Sequence, residues 1–420
     1  MGSVGDEAPR GLLVTLLILT FTMNMIARGV TETFAVFLLP VQEGLGVSRP
    51  EITLTYSVFM LAYGAFAPLA GQLIDRFGAR VAYSFGLVSL GCGYVLAGFA
   101  TKLWHYLFAV GFLGGLGSAS LGMIAASALL SRWFTSRIGT VMSVPYAAIG
   151  GGMLILPPLT QLMLTTTDWR TAHWLLGGGV LAMLPLLLLA PLQRITAGSA
   201  EWQGLRKRAA RTDAGPWTVA AAVHTGAFWG LFAAYLFTSV AAYSVLPHSV
   251  AYLIELGFNP LFAATAFGMT GMLSVFGILA VGWLSDRFGR LQTVTISYVS
   301  TIIGIIALML VYAQPSLMLV YAFVLFFGLM QGARGPIIIA LLARLFPGGG
   351  VGTIYGTLSL AMGLGAGLGS WSSGLLYEWT GNYMVSFAQA IAAAMAGLAM
   401  FWGVRSLREE RVVAAPARTS

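Results

Sequence analysis

Long apolar runs separated by short polar breaks dominate the chain. Twelve such runs fall at roughly 12–39, 52–74, 81–99, 104–131, 138–162, 171–193, 217–243, 260–284, 291–313, 316–342, 351–376 and 382–404. Each approaches or exceeds the ~20 apolar residues a helix needs to cross the hydrocarbon of a bilayer. They are continuous rather than alternating, so they predict membrane helices and not the strands of a barrel. The longest polar break, 194–216, lies between the sixth and seventh runs and carries Arg206-Lys207-Arg208. The pattern therefore predicts an all-α membrane protein of twelve transmembrane helices in two pseudo-symmetric six-helix bundles. The first bundle spans 1–193, the cytoplasmic central loop 194–216, and the second bundle 217–420.

An internal repeat supports that division. Gly71-Gln72-Leu73-Ile74-Asp75-Arg76-Phe77-Gly78 recurs 211 residues later as Gly282-Trp283-Leu284-Ser285-Asp286-Arg287-Phe288-Gly289. Ala128-Leu129-Leu130-Ser131-Arg132-Trp133-Phe134 recurs at an offset of 212 as Ala340-Leu341-Leu342-Ala343-Arg344-Leu345-Phe346. Two matches at nearly one offset identify a duplicated six-helix unit.

Composition and charge place the chain in its compartment. Hydrophobic residues make up 58% and charged residues only 9%, so the bilayer has to serve as part of the solvent. The net charge of +8 would suit nucleic acid, but its distribution does not. With both termini in the cytoplasm, 17 of the 22 Lys and Arg lie on that side, and Arg49, Lys102 and Arg170 lie in outside loops. That asymmetry sets the orientation and predicts a bacterial inner-membrane protein with both termini cytoplasmic. The first apolar run is too long for a signal-peptide core and reads as the first span. The single cysteine, Cys92, excludes an internal disulfide or a thiolate cluster. No Cys, His or carboxylate cluster offers a metal site or a nucleophile, so neither an enzyme nor a bound cofactor is expected.

Gly-x-Leu-x-Asp-Arg-x-Gly between the second and third helices of each half resembles the signature of the major facilitator superfamily. The helix count, the central loop and the duplication extend the resemblance over the whole chain. The trailing basic residue differs between the copies, Gly78-Ala79-Arg80 against Gly289-Arg290. Asp75 closes the second helix where the eleventh begins, near Gly350, and a carboxylate near a helix N-terminus gains roughly 0.3–1 kcal/mol. Asp75 with Arg76, and Asp286 with Arg287 facing the fifth helix near Ile138, are therefore candidate gating residues; tight loops with orientation-setting charges are the plainer alternative. Glycines in the fourth, fifth and eleventh runs, such as Gly117, Gly150 and Gly363, allow close helix approach in lipid.

Three charges lie inside spans: Arg28 and Glu32 in the first and Arg334 in the tenth. An intramembrane charge costs roughly 2.5–3.5 kcal/mol on insertion scales, so each is a functional candidate. In the superfamily the first, fourth, seventh and tenth helices line a central cavity, and the resemblance places all three charges there. Arg28 and Glu32 are one helical turn apart and can pair, with Asn24 on the same face. Arg334 then remains an unmatched cation, and two arginines from opposite halves would clamp a small organic anion. Glu32 is the proton-coupling candidate, because burial favours its neutral form and Arg28 its charged form. A fixed Arg28–Glu32 pair that only braces the helix is the alternative. Tyr146, Tyr235, Thr238, Gln331 and Tyr355 are further candidate substrate-binding residues, each also suited to joining helices. His248 reads as an interfacial histidine at the outer end of the seventh helix, with a gate or proton relay as the alternative.

The run Arg28-Gly29-Val30-Thr31-Glu32-Thr33-Phe34, with Gly332-Ala333-Arg334-Gly335-Pro336 and His248-Ser249-Val250-Ala251-Tyr252, is similar to bacterial relatives of the monocarboxylate transporters. The resemblance implies a carrier of small carboxylates, proton-linked and working as a monomer. The arginine and aspartate that family carries in its eighth helix are missing, since 261–284 holds no charge. Two alternatives stay open. One is a proton-driven exporter of drugs or metabolites, although Ser143-Val144-Pro145-Tyr146-Ala147-Ala148-Ile149-Gly150 lacks the exporters' fifth-helix motif. The other is an uptake carrier for a larger aromatic or vitamin-like compound.

Overall fold

The computed structural model describes residues 10–134, 138–199, 203, 217–346 and 351–409, apart from the side chains at 138–140, 286, 343 and 351–353. Ten helical stretches among them are long and apolar enough to cross a bilayer. One of these, Arg49–Ala97, is two helices folded at Gly78, and Val351–Thr380 adds a further 30-residue helix. Ten, plus one for the fold at Gly78 and one for Val351–Thr380, gives the twelve expected crossings.

In order, the spans are Arg10–Leu45, the two arms of Arg49–Ala97, Leu103–Leu130, Val141–Thr166, Trp169–Leu189, Gly226–Glu255, Pro260–Ser285, Arg290–Ala313, Leu317–Leu342, Val351–Thr380 and Met384–Gly403. Local chemistry sets several ends. The second begins with the backbone N–H of Ser48 donating to the Glu51 carboxylate at 2.7 Å, half of a capping box. The sixth begins at Asp168, whose carboxylate accepts from the Thr171 N–H at 2.9 Å; hydrogen bonds from the Thr171 hydroxyl and N–H hold its pKa below the usual value. The signature glycines turn the chain between spans in the same way in both halves. Gly78 has φ 81° and ψ 174°, and Gly289 has φ 86° and ψ 152°. A side chain is strained in that region, which accounts for glycine at the end of each signature copy.

The seventh span differs from its expected limits. It begins at Gly226, after a short helix Val219–Val223, and runs on to Glu255. Thr225 restarts the helix by accepting from the Phe228 N–H at 3.2 Å. His248 consequently lies within the span and not at its end. It is fully buried, with Nδ1 3.2 Å from the Tyr383 hydroxyl and Nε2 3.0 Å from the Ser370 carbonyl.

Burial is organised around two main clusters. One joins Tyr83, Tyr94, Leu121 and Leu176 in the first half, and the other joins Phe228, Tyr298, Leu342 and Phe401 in the second. A third crosses between them, packing Val36 and Met153 against Val245 and Phe267. The fifth and eighth spans approach closely here: a methyl group on Gly150 would lie 2.8 Å from the Gly271 carbonyl oxygen. Leu189, Met318 and other large apolar side chains point outward, as lipid-facing side chains do.

Candidate functional site

Four spans break near mid-length, and the breaks meet around one cavity. The first span stops at Glu32 and resumes at Phe34, and the fourth is interrupted at Gly122. The seventh breaks at Ser244–Val245, and the tenth at Gln331–Ala333. Thr33 and Ser244 are 211 residues apart, as are Gly122 and Ala333, so the breaks follow the sequence repeat. A broken helix exposes backbone groups that need partners in a low-dielectric site. In the first span the Val30 carbonyl finds them, accepting from Thr33 Oγ1 at 2.7 Å and from the Tyr94 hydroxyl at 2.6 Å.

The cavity measures about 240 Å³, and its wall includes Arg28, Tyr146, Tyr235, Thr238, Gln331 and Arg334. Gly122 and Met123 reach it from the first half, and Gly332 and Gly335 from the second. Helices starting at Met123 and Arg334 thus direct their N-terminal ends, the positive ends of the backbone dipoles, at this space.

Its two arginines have different company. Arg28 Nη2 lies 2.7 Å from Glu32 Oε1, with Arg28 25% exposed and Glu32 1%. The Tyr56 hydroxyl donates to the same carboxylate oxygen at 3.3 Å. Arg334 is 3% exposed and has no carboxylate partner among the described residues. Its Nη1 donates to Thr301 Oγ1 at 3.0 Å and to Ser297 Oγ at 3.2 Å. Its guanidinium carbon sits 4.4 Å from the Tyr298 ring centroid, and Nε has no hydrogen-bond partner. The Tyr298 hydroxyl in turn meets Thr238 Oγ1 at 2.5 Å, which ties the seventh, ninth and tenth spans together behind the charge. Neutral acceptors and a ring face orient Arg334 and leave its charge uncompensated.

The remaining candidates divide. The Tyr235 hydroxyl donates to Met362 Sδ at 3.3 Å on the wall, and Gln331 forms the corner where the tenth span breaks. Tyr355 does not line the cavity; its carbonyl accepts from Ser359 Oγ at 3.0 Å. Asp75 Oδ1 lies 2.7 Å from Arg132 Nη2, so this partner comes from its own half and not from the eleventh helix. Arg132 Nη1 also donates to the Thr196 carbonyl at 2.7 Å. The start of the eleventh helix near Gly350, and the side chains of Asp286 and Ile138, lie outside the described residues. Arg76 is exposed, and Arg287 stacks 5.4 Å from the Trp283 ring centroid.

Comparison with known proteins agrees with this architecture. The family model for the Major Facilitator Superfamily matches residues 17–333 and 278–419. The chain belongs to that superfamily. Among relatives of this superfamily member, monocarboxylate transporter 13 of Rattus norvegicus is 28% identical over 382 residues, covering 90% of this chain and 85% of the relative. The "Uncharacterized MFS-type transporter YcxA" of Bacillus subtilis (strain 168) is 22% identical over 386 residues, covering 89% and 91%. Among solved structures, a D-xylose-proton symporter superposes with a TM-score of 0.72 at 13% identity, covering 96% of this chain and all of that one. The protein is thus a multi-pass transporter and not an enzyme.

Major facilitator transporters carry small molecules between two halves, and one contact between the halves escaped the sequence reading. On the face opposite the termini, Arg49 at the start of the second span is 4% exposed. Its Nη2 lies 2.6 Å from Glu255 Oε1 at the end of the seventh, and Nη1 donates to the Tyr383 hydroxyl at 2.5 Å. The guanidinium also sits 4.4 Å over Tyr377, whose hydroxyl donates to Glu255 at 3.2 Å. Below it, Ser57 Oγ donates to the Gly367 carbonyl at 2.7 Å. Arg49 reads in sequence as a loop charge, and its place in Gly46-Val47-Ser48-Arg49, before Pro50 at a helix start, does not name its partners.

Proposed function

We propose that this transporter moves a small organic anion of the monocarboxylate type across a bacterial inner membrane by alternating access, coupled to protons. The observation that carries the reading is Arg334: a buried guanidinium on the cavity wall, at the start of a half-helix, with no carboxylate beside it. An uncompensated charge at that depth is costly unless an anion completes it. The second half-helix N-terminus, at Met123, adds to the attraction from the opposite side.

Glu32 is the proton site in this reading. Its carboxylate holds Arg28, and protonation there releases Arg28 to share the anion with Arg334. The two six-helix units, 1–193 and 217–420, rock about the cavity through the loop 194–216. With both termini cytoplasmic, the Arg49–Glu255 contact closes the outer side. Asp75 with Arg76 and Asp286 with Arg287 mark the cytoplasmic side, where Asp75 acts through Arg132. The protein works as a monomer in the lipid bilayer.

Uptake of labelled lactate-sized acids into proteoliposomes, with and without an inward proton gradient, tests this. Accumulation driven by the gradient supports it. Accumulation of neutral or cationic compounds with no response to carboxylates would overturn it.

A further inference from the structure

The amide of Gln331 is 9% exposed, lines the cavity, and is almost without partners. Its Oε1 has no hydrogen bond, and its Nε2 reaches only Met153 Sδ at 3.9 Å. A buried amide in this state is free to take a polar partner from the cavity. The residue sits at the corner between Met330 and the half-helix that begins with Arg334, and Gly332 holds that corner with φ 75°. The orphan amide and the uncompensated guanidinium are therefore offered to the same ligand, three residues apart. The rest of the wall is different: Met60, Met123, Met153, Met362, Ile149 and Ile278 make much of it apolar. A cavity of about 240 Å³, against roughly 30 Å³ for a water, leaves room beyond a three-carbon acid.

We propose that Gln331 reads a hydroxyl group adjacent to the passenger's carboxylate, and that the passenger is a hydroxy acid with an apolar body. The proposal rests on the anion reading of Arg334. A hydroxyl both donates and accepts, so it satisfies the amide in either of its two orientations. A keto oxygen only accepts, so it meets the amide through Nε2 alone and leaves Oε1 without a donor, and a methylene does neither. An ammonium would place a second cation beside Arg334, where like charges repel. The carboxylate is held by Arg334, the hydroxyl by Gln331, and the apolar body lies against the methionines, whose flexible side chains adapt to its shape.

The test compares three acids on the purified full-length protein by isothermal titration calorimetry: 3-phenyllactate, 3-phenylpropionate, which lacks the hydroxyl, and lactate, which lacks the ring. Wild-type protein should bind 3-phenyllactate at least about tenfold more tightly than 3-phenylpropionate and more tightly than lactate. In Gln331→Leu, 3-phenyllactate should fall to the level of 3-phenylpropionate, and an unchanged thermal midpoint in detergent reports an intact fold. Gln331→Glu, which sets a carboxylate beside the guanidinium, should weaken all three. Equal wild-type affinity for the two phenyl acids, or discrimination that survives in Gln331→Leu, overturns the hydroxyl reading and leaves the anion reading standing. Absence of binding by every acid overturns both.

Discussion

Arg49 and Glu255 are 206 residues apart in the chain, yet their side chains meet at 2.6 Å across the two halves of the molecule. Arg49 is buried, stacks on Tyr377 and donates to Tyr383, so this contact is a network and not a lone surface pair. Hydrogen bonds to charged groups contribute roughly 1.5–3 kcal/mol each. Arg49→Ala should shift the balance toward a form open on the face opposite the termini by about 2 kcal/mol, or roughly thirtyfold. A cysteine at Ser57, introduced after Cys92→Ala, reports the change. An impermeant maleimide should label it faster when Arg49 is also replaced, and unchanged labelling would show that the network does not close that face.

The Arg28–Glu32 pair makes a separate claim about coupling. Glu32→Gln should preserve exchange of the anion between two compartments at equal pH while abolishing its acceleration by a pH gradient. Wild-type pH dependence in that variant would place the proton elsewhere. Arg28→Ala should abolish uptake, because it removes a cation from the cavity wall, and should lower the thermal midpoint, because it leaves Glu32 buried alone.

Gly332 has a backbone role that can be read against a neighbour. A methyl group there would be 3.7 Å from Ile278 Cδ1, so space is adequate, but its φ of 75° disfavours any side chain by ~1–2 kcal/mol. Gly335 lies in the helix with nothing within 4 Å. Gly332→Ala should lower the thermal midpoint in detergent and impair transport, whereas Gly335→Ala should match or exceed the wild-type midpoint. Equal behaviour of the two would remove the corner's special conformation from the account.

Much of this architecture was legible in the sequence because the bilayer imposes a simple rule on length and apolarity. The twelve crossings followed from it, the duplicated signature from the internal repeat, and the Arg28–Glu32 pair from helical spacing. The seventh span was cut short at 243, because Ser244, Pro247, His248 and Ser249 look like a loop. Their polar groups are instead satisfied inside the bundle, as the bonds of His248 to Tyr383 and Ser370 show. The break at Thr33 has neither proline nor glycine to announce it, and depends on Tyr94 from another helix. Arg49 illustrates the same limit: its partners come from the seventh, eleventh and twelfth helical regions, and no local pattern points to them.

One cation decides the passenger's charge. Binding of a labelled monocarboxylate to purified wild-type protein and to Arg334→Leu, alongside Arg334→Lys, tests it most directly. Wild-type protein should bind, the leucine variant should lose roughly 2–4 kcal/mol or about thirty- to a thousandfold in affinity, and lysine should restore only part of it. Undiminished binding in a folded Arg334→Leu protein would contradict the account.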